Sequence, residues 1–406
     1  MGQRGWWITG ALVLGLVAGA VVGPTDAGER AAPLILPIGQ LWLQALTMTV
    51  VPLVFSLLVA GMARAVQAAS GGAFAARAMA LFAIGLLAAT GLAALLTPAL
   101  LEIAPVPAAA AGLQPVGSIP EASPDAPAWY MTIIPTNPIG SAAEGAMVPL
   151  VVFAILFGLA MGRIEGALRE SLETVFRAII ETMLVIVGWV LALAPLGVAA
   201  LAFGVGTRLG ASAASVLAHY MAIVIAICLA VTLLAVAATW AFGRLSPAAF
   251  LRAAFPAQTI AVSTQSSLAS LPAMIEAAGP LGVDRDRAGI VLPLAVSVFK
   301  AASAGANVAV AVYLAQLHGV AVTPAGLAVG AVVAAAVSVG AVGLPAQVNF
   351  FAIIAPVCIA MGVPVELLPV LLAIESVPDI FRTLGNVTAD LAVTRIAGRE
   401  AAAGQA

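Results

Sequence analysis

The chain has 406 residues, of which 63% are hydrophobic and 8% are charged, and its formal net charge is −2. A water-soluble domain carries roughly a quarter charged residues, so this composition excludes a soluble fold and indicates that the lipid bilayer is the solvent. The small net charge gives no reason to expect a nucleic-acid partner. The two cysteines, Cys228 and Cys358, lie in apolar runs and are predicted to be buried thiols rather than a disulfide.

Six apolar runs long enough to cross a bilayer occupy the first three fifths of the chain. They lie at about 6–23, 36–63, 79–101, 147–162, 178–203 and 213–243. The first run could also belong to a cleaved signal peptide. Because further spans follow it, we interpret it as the first membrane helix.

The arginines are distributed unevenly between the ends of these runs. Twelve lie at one set of ends, and only Arg30 and Arg208 lie at the other. Cytoplasmic loops of membrane proteins are enriched in Lys and Arg, so the arginine-rich ends and both termini are predicted to be cytoplasmic. Residues 102–146 contain no Lys or Arg and are predicted to form a long external loop with partial helices. The expected location is the inner (plasma) membrane.

Beyond residue 245 the apolar sequence is interrupted twice by Ser, Gly and Pro clusters, at 263–272 and 338–345. Each cluster is followed by a long apolar stretch that carries charged residues. Paired, interrupted hydrophobic segments are a sequence indicator of the binding site of a transporter.

Several charged residues are predicted to lie within the membrane. Lys300, the only lysine, interrupts the apolar stretch 290–312, which is predicted to be one helix. Arg382 lies on a predicted helix at about 365–396. A charge at mid-bilayer costs several kcal/mol unless it is paired or hydrated. Internal ion pairs that hold helices together are one interpretation, and a polar functional site is the other.

The spacing on this last helix favours a functional site. Asp379, Arg382, Asn386 and Asp390 form one polar stripe along the helix, and Glu375 extends it by four residues. A guanidinium binds a carboxylate through two parallel hydrogen bonds, and a nearby aspartate can accept from an ammonium. The stripe therefore predicts a site for an acidic amino acid.

The stripe lies within a longer motif. The sequence Asp379-Ile-Phe-Arg382-Thr-Leu-Gly-Asn386-Val-Thr-Ala-Asp390 resembles the motif D-x-x-R-T-x-x-N-V-T-x-D of the glutamate/aspartate and dicarboxylate:cation symporter family. Further stretches agree in order along nearly the whole chain. They are 51–55 with 61–63, Asn137-Pro138 with 153–160, Ser266-Ser267 with Leu271-Pro272, and 340–345.

The resemblance implies an all-α integral membrane fold with inverted repeats, eight transmembrane helices and two re-entrant helical hairpins, working as an elevator-type homotrimer. It also implies a division into domains. Residues 1–77 would form scaffold helices 1 and 2, and residues 78–101 would form helix 3 of the transport domain. Residues 102–244 would contain the external loop and helices 4–6, of which helix 6 belongs to the transport domain; residues 245–397 would form the transport core of hairpin 1, helix 7, hairpin 2 and helix 8; and residues 398–406 would form a tail.

The resemblance also implies roles for individual residues. Arg382 would hold the side-chain carboxylate of the substrate, and Asp379 its α-amino group. The remaining substrate contacts would come from Ser266, Ser267, Ser303, Thr383 and Asn386. Ser338, Gly340, Gly343 and Pro345 would form the gate at the second hairpin. Asp390, with Asn386, would line a sodium site, and no cofactor is expected.

The seventh helix departs from the family pattern. The family has N-M-D-G-T after V-L-P-L, whereas this chain has Phe299, Lys300, Ala301, Ala302 and Ser303. On helix 3, Ile84 and Gly85 align with a Thr-Ser pair. One sodium site is therefore predicted to be lost, and Lys300 is predicted to replace a bound cation near Asp390. The coupling ion is left as Na⁺ or H⁺. A lysine that only pairs with Asp390 to join two helices is the structural alternative.

The expected function is symport of an acidic amino acid or dicarboxylate, with coupling through Lys300, Glu375 and Asp390. The alternative is a non-transporting receptor that kept the fold and the ligand site. An enzyme is not expected, because the sequence shows no nucleophile–base pair and no metal-ligand spacing.

Overall fold

The structure, a computed structural model, describes residues 3–70, 72–108, 110, 133–340 and 346–403. Within these ranges the chain is all-helical and contains no β-strand. Its first nine helices are α1 (Gln3–Val22), α2 (Asp26–Thr47), α3 (Val50–Ser70), α4 (Ala73–Ile103), α5 (Pro138–Ala143), α6 (Met147–Met161), α7 (Gly166–Ala192), α8 (Ala194–Leu209) and α9 (Ala213–Ala241). The other eight are α10 (Pro247–Thr264), α11 (Ser267–Ala277), α12 (Arg285–Val298), α13 (Ala301–His318), α14 (Pro324–Gly340), α15 (Ala346–Ala360), α16 (Leu368–Leu372) and α17 (Ser376–Ala403).

The distribution of side chains is that of a membrane protein. Among the residues that the structure describes, five stretches are long and apolar enough to cross a bilayer, namely Asp26–Ser70, Ala73–Ile103, Gly166–Ala192, Ala194–Ala241 and Arg285–His318. Large apolar side chains such as Trp7, Leu34 and Leu95 are more than 70% exposed. By contrast, Glu375, Arg382 and Asp390 are buried. An apolar exterior around a charged interior fits a lipid environment.

Two apolar runs that were predicted as single spans are each divided in the structure. The run 36–63 is split between α2 and α3, and the run 178–203 is split between α7 and α8. Pro52 lies in the first turn of α3, and Pro195 lies in the first turn of α8. A proline has no N–H and is tolerated in a first turn, where the amide needs no helical partner. Hydropathy alone does not show such divisions.

The two interrupted segments form helical hairpins. In the first, α10 and α11 pack against each other and meet at a tip where Gln265 adopts a left-handed conformation with φ 53°. In the second, α14 packs against α15. The tip of the second hairpin, which includes Gly343 and Pro345 of the predicted gate, lies outside the described residues, as does most of the predicted external loop.

The C-terminal end differs from the prediction of a tail. Helix α17 continues to Ala403, although the tail was predicted to begin at residue 398. A Cβ atom on Gly398 would lie 3.0 Å from the Val283 side chain, so the helix still packs against the protein there. The residues that follow are rich in alanine, a strong helix former. The prediction of buried thiols is confirmed, because Cys228 and Cys358 are both free and buried.

The helices pack mainly in two groups. In one, α1 and α2 pack on α8, and α3 packs on α6 and α7. In the other, α4 and α9 pack on α13, and α17 packs on α9, α10, α12 and α13. The charged residues predicted from the sequence lie in the second group, around the junction of α12, α13 and α17.

Candidate functional site

The centre of the candidate site is a break between α12 and α13. Residues 290–312 were predicted to form one helix, but helical structure stops at Val298 and resumes at Ala301. Phe299 (φ −110°, ψ 81°) and Lys300 (φ −105°, ψ 64°) have non-helical dihedral angles. The sequence has no Gly or Pro at these two positions, which explains why a pattern-based interpretation missed the break.

Side chains of α17 bond to the first turn of α13. The Ser303 N–H donates to Asn386 Oδ1 at 3.1 Å, and Asn386 Nδ2 donates to Ser303 Oγ at 2.8 Å. Amides in the first turn of a helix have no partner within that helix, so Asn386 supplies one. Arg382 Nη1 also reaches Ser303 O, at 3.4 Å. The structure thus brings together three residues that the sequence predicted to share a site, namely Ser303, Arg382 and Asn386.

Arg382 is 5% exposed, and three further residues surround it. Its Nε atom forms an ion pair with Glu375 Oε1 at 2.6 Å. The Tyr220 hydroxyl of α9 donates to Glu375 Oε2 at 3.1 Å, and Arg382 Nη1 donates to Asn307 Oδ1 at 2.7 Å. Glu375 was predicted to extend the polar stripe of the helix, but α17 begins at Ser376, so Glu375 lies just before it.

Tyr220 and Asn307 were missed by the sequence analysis. Tyr220 lies within the long apolar helix α9, and nothing near it in the sequence suggests a polar role. Asn307 follows Ser303 by four residues on α13, so the two lie on the same face of the helix. That spacing was the available signal, and it depends on knowing that a helix begins at Ala301.

Lys300 lies at the break, where it interacts electrostatically with two carboxylates, Asp379 and Asp390. Asp390 is fully buried, and neither of its side-chain oxygens accepts a hydrogen bond from the described residues. A buried carboxylate without hydrogen bonds is costly unless a positive charge compensates it. Lys300 is the charged residue that acts on Asp390.

Phe299 lies at a position where the family resemblance implies a sodium ligand. Its ring stacks on Phe82 of α4, with 5.1 Å between the ring centroids and 16° between the planes. A Cβ atom on Gly85 would lie 2.7 Å from the ring, so the ring packs directly on the glycine backbone. Ala301, at the second ligand position, is 2% exposed and offers no oxygen from its side chain.

The first hairpin places its serines next to the start of α17. Ser266 caps α11 by accepting a hydrogen bond from the Ala269 N–H at 3.2 Å, and Ser267 is the first residue of that helix. Gln265, the residue before them, donates from Nε2 to Ser376 O at 3.3 Å. The hairpin tip is therefore tied to the backbone at the beginning of the helix that carries Asp379.

The remaining predicted residues are also located. Asp379 is half-buried and Thr383 is buried, both on α17. Ser338 is buried near the end of α14, where its hydroxyl donates to Ala334 O at 2.7 Å. Gly340 ends this helix and packs against α3, since a Cβ atom there would lie 2.8 Å from the Leu57 backbone. In the described part of the chain no cluster of three or more His, Cys, Asp or Glu residues could hold a metal ion.

Comparisons with known proteins identify a family and several similar chains. Residues 5–399 match the profile of the sodium:dicarboxylate symporter family. The chain is 28% identical to the proton/glutamate-aspartate symporter of Escherichia coli (strain K12), over 97% of this chain and 92% of that protein. It is 31% identical to the human neutral amino acid transporter A, over 62% of this chain and 48% of that protein. It is 26% identical to the C4-dicarboxylate transport protein of Solibacter usitatus (strain Ellin6076), over 94% and 88% of the two chains.

Proposed function

The chain belongs to the sodium:dicarboxylate symporter family, and on that basis we propose that it transports an acidic amino acid or a C4-dicarboxylate together with a cation. The relatives are named as transporters, so the prediction that the chain is not an enzyme is confirmed. The observation that carries the proposal is the buried guanidinium of Arg382, held beside Ser303 and Asn386 at a helix break. A buried guanidinium at such a site favours substrates with a second carboxylate.

The substrate would be bound from several sides. Arg382 binds the side-chain carboxylate, and Asp379, one turn earlier on α17, accepts from the α-ammonium group. Asn386 and Thr383 of α17 and the tip serines Ser266 and Ser267 bind the α-carboxylate and the ammonium. The tie between Gln265 and the start of α17 supports this arrangement, because it keeps the hairpin tip close to the helix that bears Asp379.

The packing supports a division into a scaffold and a moving transport domain. We assign α1–α3 and α5–α8 to the scaffold, and α4 and α9–α17 to the transport domain. We count each kinked or broken pair of helices as one crossing. The assignment then has eight transmembrane helices, namely α1, α2–α3, α4, α5–α6, α7–α8, α9, α12–α13 and α16–α17. The hairpins are α10–α11 and α14–α15, and the second one forms the gate. An elevator motion and a homotrimer complete the proposal.

The charges of the site support coupling to a cation. Two cationic residues, Lys300 and Arg382, face three carboxylates, Glu375, Asp379 and Asp390. An acidic amino acid carries a further net negative charge into this buried region. Uncompensated charge in a membrane interior is expensive, so the substrate must enter with a cation or a proton.

We propose that Lys300 takes the place of one bound cation. Phe299 and Ala301 remove two sodium ligands of the family pattern, and Lys300 acts on Asp390 instead. Two mechanisms follow from this replacement. In one, Lys300 stays protonated and serves as a fixed internal cation. In the other, Lys300 releases its proton during the cycle, and transport is coupled to protons, with Glu375 as a second titrating group.

The experiment that tests the proposal is uptake into proteoliposomes. Labelled aspartate, glutamate and succinate are offered with the sodium gradient and the pH gradient varied independently. A receptor that binds but does not transport would show binding without uptake in any gradient. The relatives are all named as transporters and lend that alternative no support.

The role of Arg382 is tested with Arg382→Ala. Loss of a charge pair in a partly dry site costs about 2–5 kcal/mol, so binding of aspartate should weaken by that amount while binding of serine changes little. Arg395→Ala is the matched control, since Arg395 lies on the same helix but donates to the backbone oxygens of Gly243 and Leu281. It should lower stability without changing the preference for acids. Equal losses of aspartate and serine binding in Arg382→Ala would contradict the assignment.

A further inference from the structure

Two hydrogen-bond donors on contacting side chains are buried in the site without an acceptor. They are Arg382 Nη2 and Asn307 Nδ2, and neither has a hydrogen-bond partner among the described residues. The two side chains touch through the bond from Arg382 Nη1 to Asn307 Oδ1. Asn307 is 2% exposed and Arg382 is 5% exposed, so both side chains are shielded from bulk solvent.

The other two nitrogens of Arg382 lie against protein groups, Nε in an ion pair and Nη1 in hydrogen bonds, which restricts the orientation of the guanidinium. Nε is paired with Glu375, and Nη1 donates to Asn307 and Ser303. Glu375 is in turn held by the Tyr220 hydroxyl. The guanidinium is therefore held by protein groups at Nε and Nη1, and Nη2 is the nitrogen that remains for another acceptor.

Two buried donors without partners in a folded protein indicate that a ligand supplies the acceptor. A buried donor without a partner is unfavourable, because its lost hydrogen bond to water is not replaced. A guanidinium and an amide N–H₂ on neighbouring side chains match the two oxygens of one carboxylate. A cation would be repelled by this edge, and an apolar group would leave both donors unpaired.

We propose that Asn307 is a specificity-determining residue, whose Nδ2 binds the second carboxylate of the substrate together with Arg382 Nη2. Glu375 and Tyr220 are then positioning residues, which hold the Nε edge of Arg382 so that Nη2 faces the substrate. The inference rests on the proposed function, because it assumes a substrate with two carboxylates.

A rival explanation is that Asn307 only holds Arg382 through its Oδ1 acceptor. Asn307→Asp separates the two, because it keeps the acceptor and the size of the side chain but removes the amide donor. If Asn307 binds the substrate, Asn307→Asp weakens aspartate and succinate binding roughly 10- to 100-fold and changes serine binding much less. If Asn307 only holds Arg382, the variant binds aspartate as well as the unmodified protein does.

The added negative charge of Asn307→Asp needs a control of its own. The double variant Asn307→Asp/Glu375→Gln has the formal charge of the unmodified protein and is compared with it, and Glu375→Gln alone shows the effect of losing Glu375. Loss of a donor predicts that the double variant still binds aspartate more weakly than the unmodified protein and than Glu375→Gln, whereas simple repulsion predicts that binding recovers to the level of the unmodified protein. Asn307→Leu, a neutral variant that lacks the donor, should also lose affinity for the acid.

The measurement is calorimetric titration of the purified full-length protein with L-aspartate, succinate and L-serine, with a thermal unfolding curve for each variant. Unchanged aspartate affinity in Asn307→Asp, or recovery in the double variant, would overturn the inference. If Asn307→Leu fails to fold, Asn307→Asp and the charge-matched double variant still decide. A failure of the proposed function looks different: the unmodified protein would bind neither acid, or Arg382→Ala would not discriminate between aspartate and serine.

Discussion

The Phe299 ring packs directly on Gly85, and a Cβ atom on that glycine would lie 2.7 Å from the Cζ atom of the ring. The contact joins the break between α12 and α13 to α4. The resemblance implies an amide ligand at the position of Phe299 and a Thr-Ser pair at Ile84 and Gly85. We propose that these differences belong together, because the ring occupies the space that a side chain at position 85 would need.

The membrane orientation follows from the arginine distribution and can be tested by labelling. Thr136 and Ser171 are both exposed, but they lie at opposite sets of helix ends. Membrane-impermeant maleimide added to intact cells should modify Thr136→Cys and not Ser171→Cys. The native thiols, Cys228 and Cys358, are buried and should remain unreactive. Labelling of Ser171→Cys before the cells are permeabilised would invert the topology.

The nature of the substrate can be tested at Asp379. We expect Asp379→Asn to weaken aspartate and glutamate binding at least 10-fold, because a charge-assisted bond to the ammonium is lost. Succinate has no ammonium and should bind about as well as before or better, since a nearby negative charge is removed. Calorimetric titration of both ligands is the measurement, and Asp379→Glu serves as the charge-conserving control. An equal loss for aspartate and succinate would favour a plain dicarboxylate site with a structural Asp379.

The sequence was sufficient to predict an all-helical membrane fold and most residues of the polar site. The hydropathy identified the spans, and the spacing of Asp379, Arg382, Asn386 and Asp390 placed them on one helix, as the structure shows. Ser303 was placed in the same site by the family motif, and it bonds to both Arg382 and Asn386.

The remaining features depend on contacts between distant segments. The break at Phe299 and Lys300 has no local signal, because its stability comes from Asn386 on α17 and from the stack on Phe82. Tyr220 has a polar role only because α9 packs beside Glu375. Periodicity within one segment cannot report such pairings between segments.

The role of the second hairpin as the gate can be tested at Gly340. This residue packs so closely on Leu57 of α3 that a Cβ atom would lie 2.8 Å from backbone atoms. We expect Gly340→Ala to displace the end of α14 and to slow aspartate uptake several-fold, because backbone atoms cannot move aside as a flexible side chain can. Gly91→Ala on α4 is the matched control, since a Cβ atom there would have no neighbour within 4 Å and uptake should match that of the unmodified protein. Unchanged uptake in Gly340→Ala would argue against a gate that moves against α3.

The coupling ion is tested at Lys300. Lys300→Met restores the family residue at this position but neither of the two sodium ligands, so Asp390 loses its compensating charge. We expect this variant to lose uptake or to become dependent on sodium, because a buried carboxylate without a counterion is strongly unfavourable. Lys300→Arg keeps the positive charge and should retain more activity than Lys300→Met. It also separates the two mechanisms, since an arginine acts as a fixed cation but does not release its proton.

The replacement of a bound cation by Lys300 can also be tested by restoring a sodium site. The triple variant Phe299→Asn/Lys300→Met/Ala301→Asp rebuilds the family ligands, and Gly85→Ser on α4 restores a hydroxyl in the space that the Phe299 ring leaves. We expect sodium to stimulate aspartate uptake in this background and to raise the unfolding temperature, because a cation that binds only the folded state stabilises it. Uptake is measured at fixed pH with sodium or choline outside, and potassium is the control cation. A wild-type protein that requires sodium strictly, with Lys300→Met behaving identically, would show that Lys300 does not replace a cation and only joins α13 to α17.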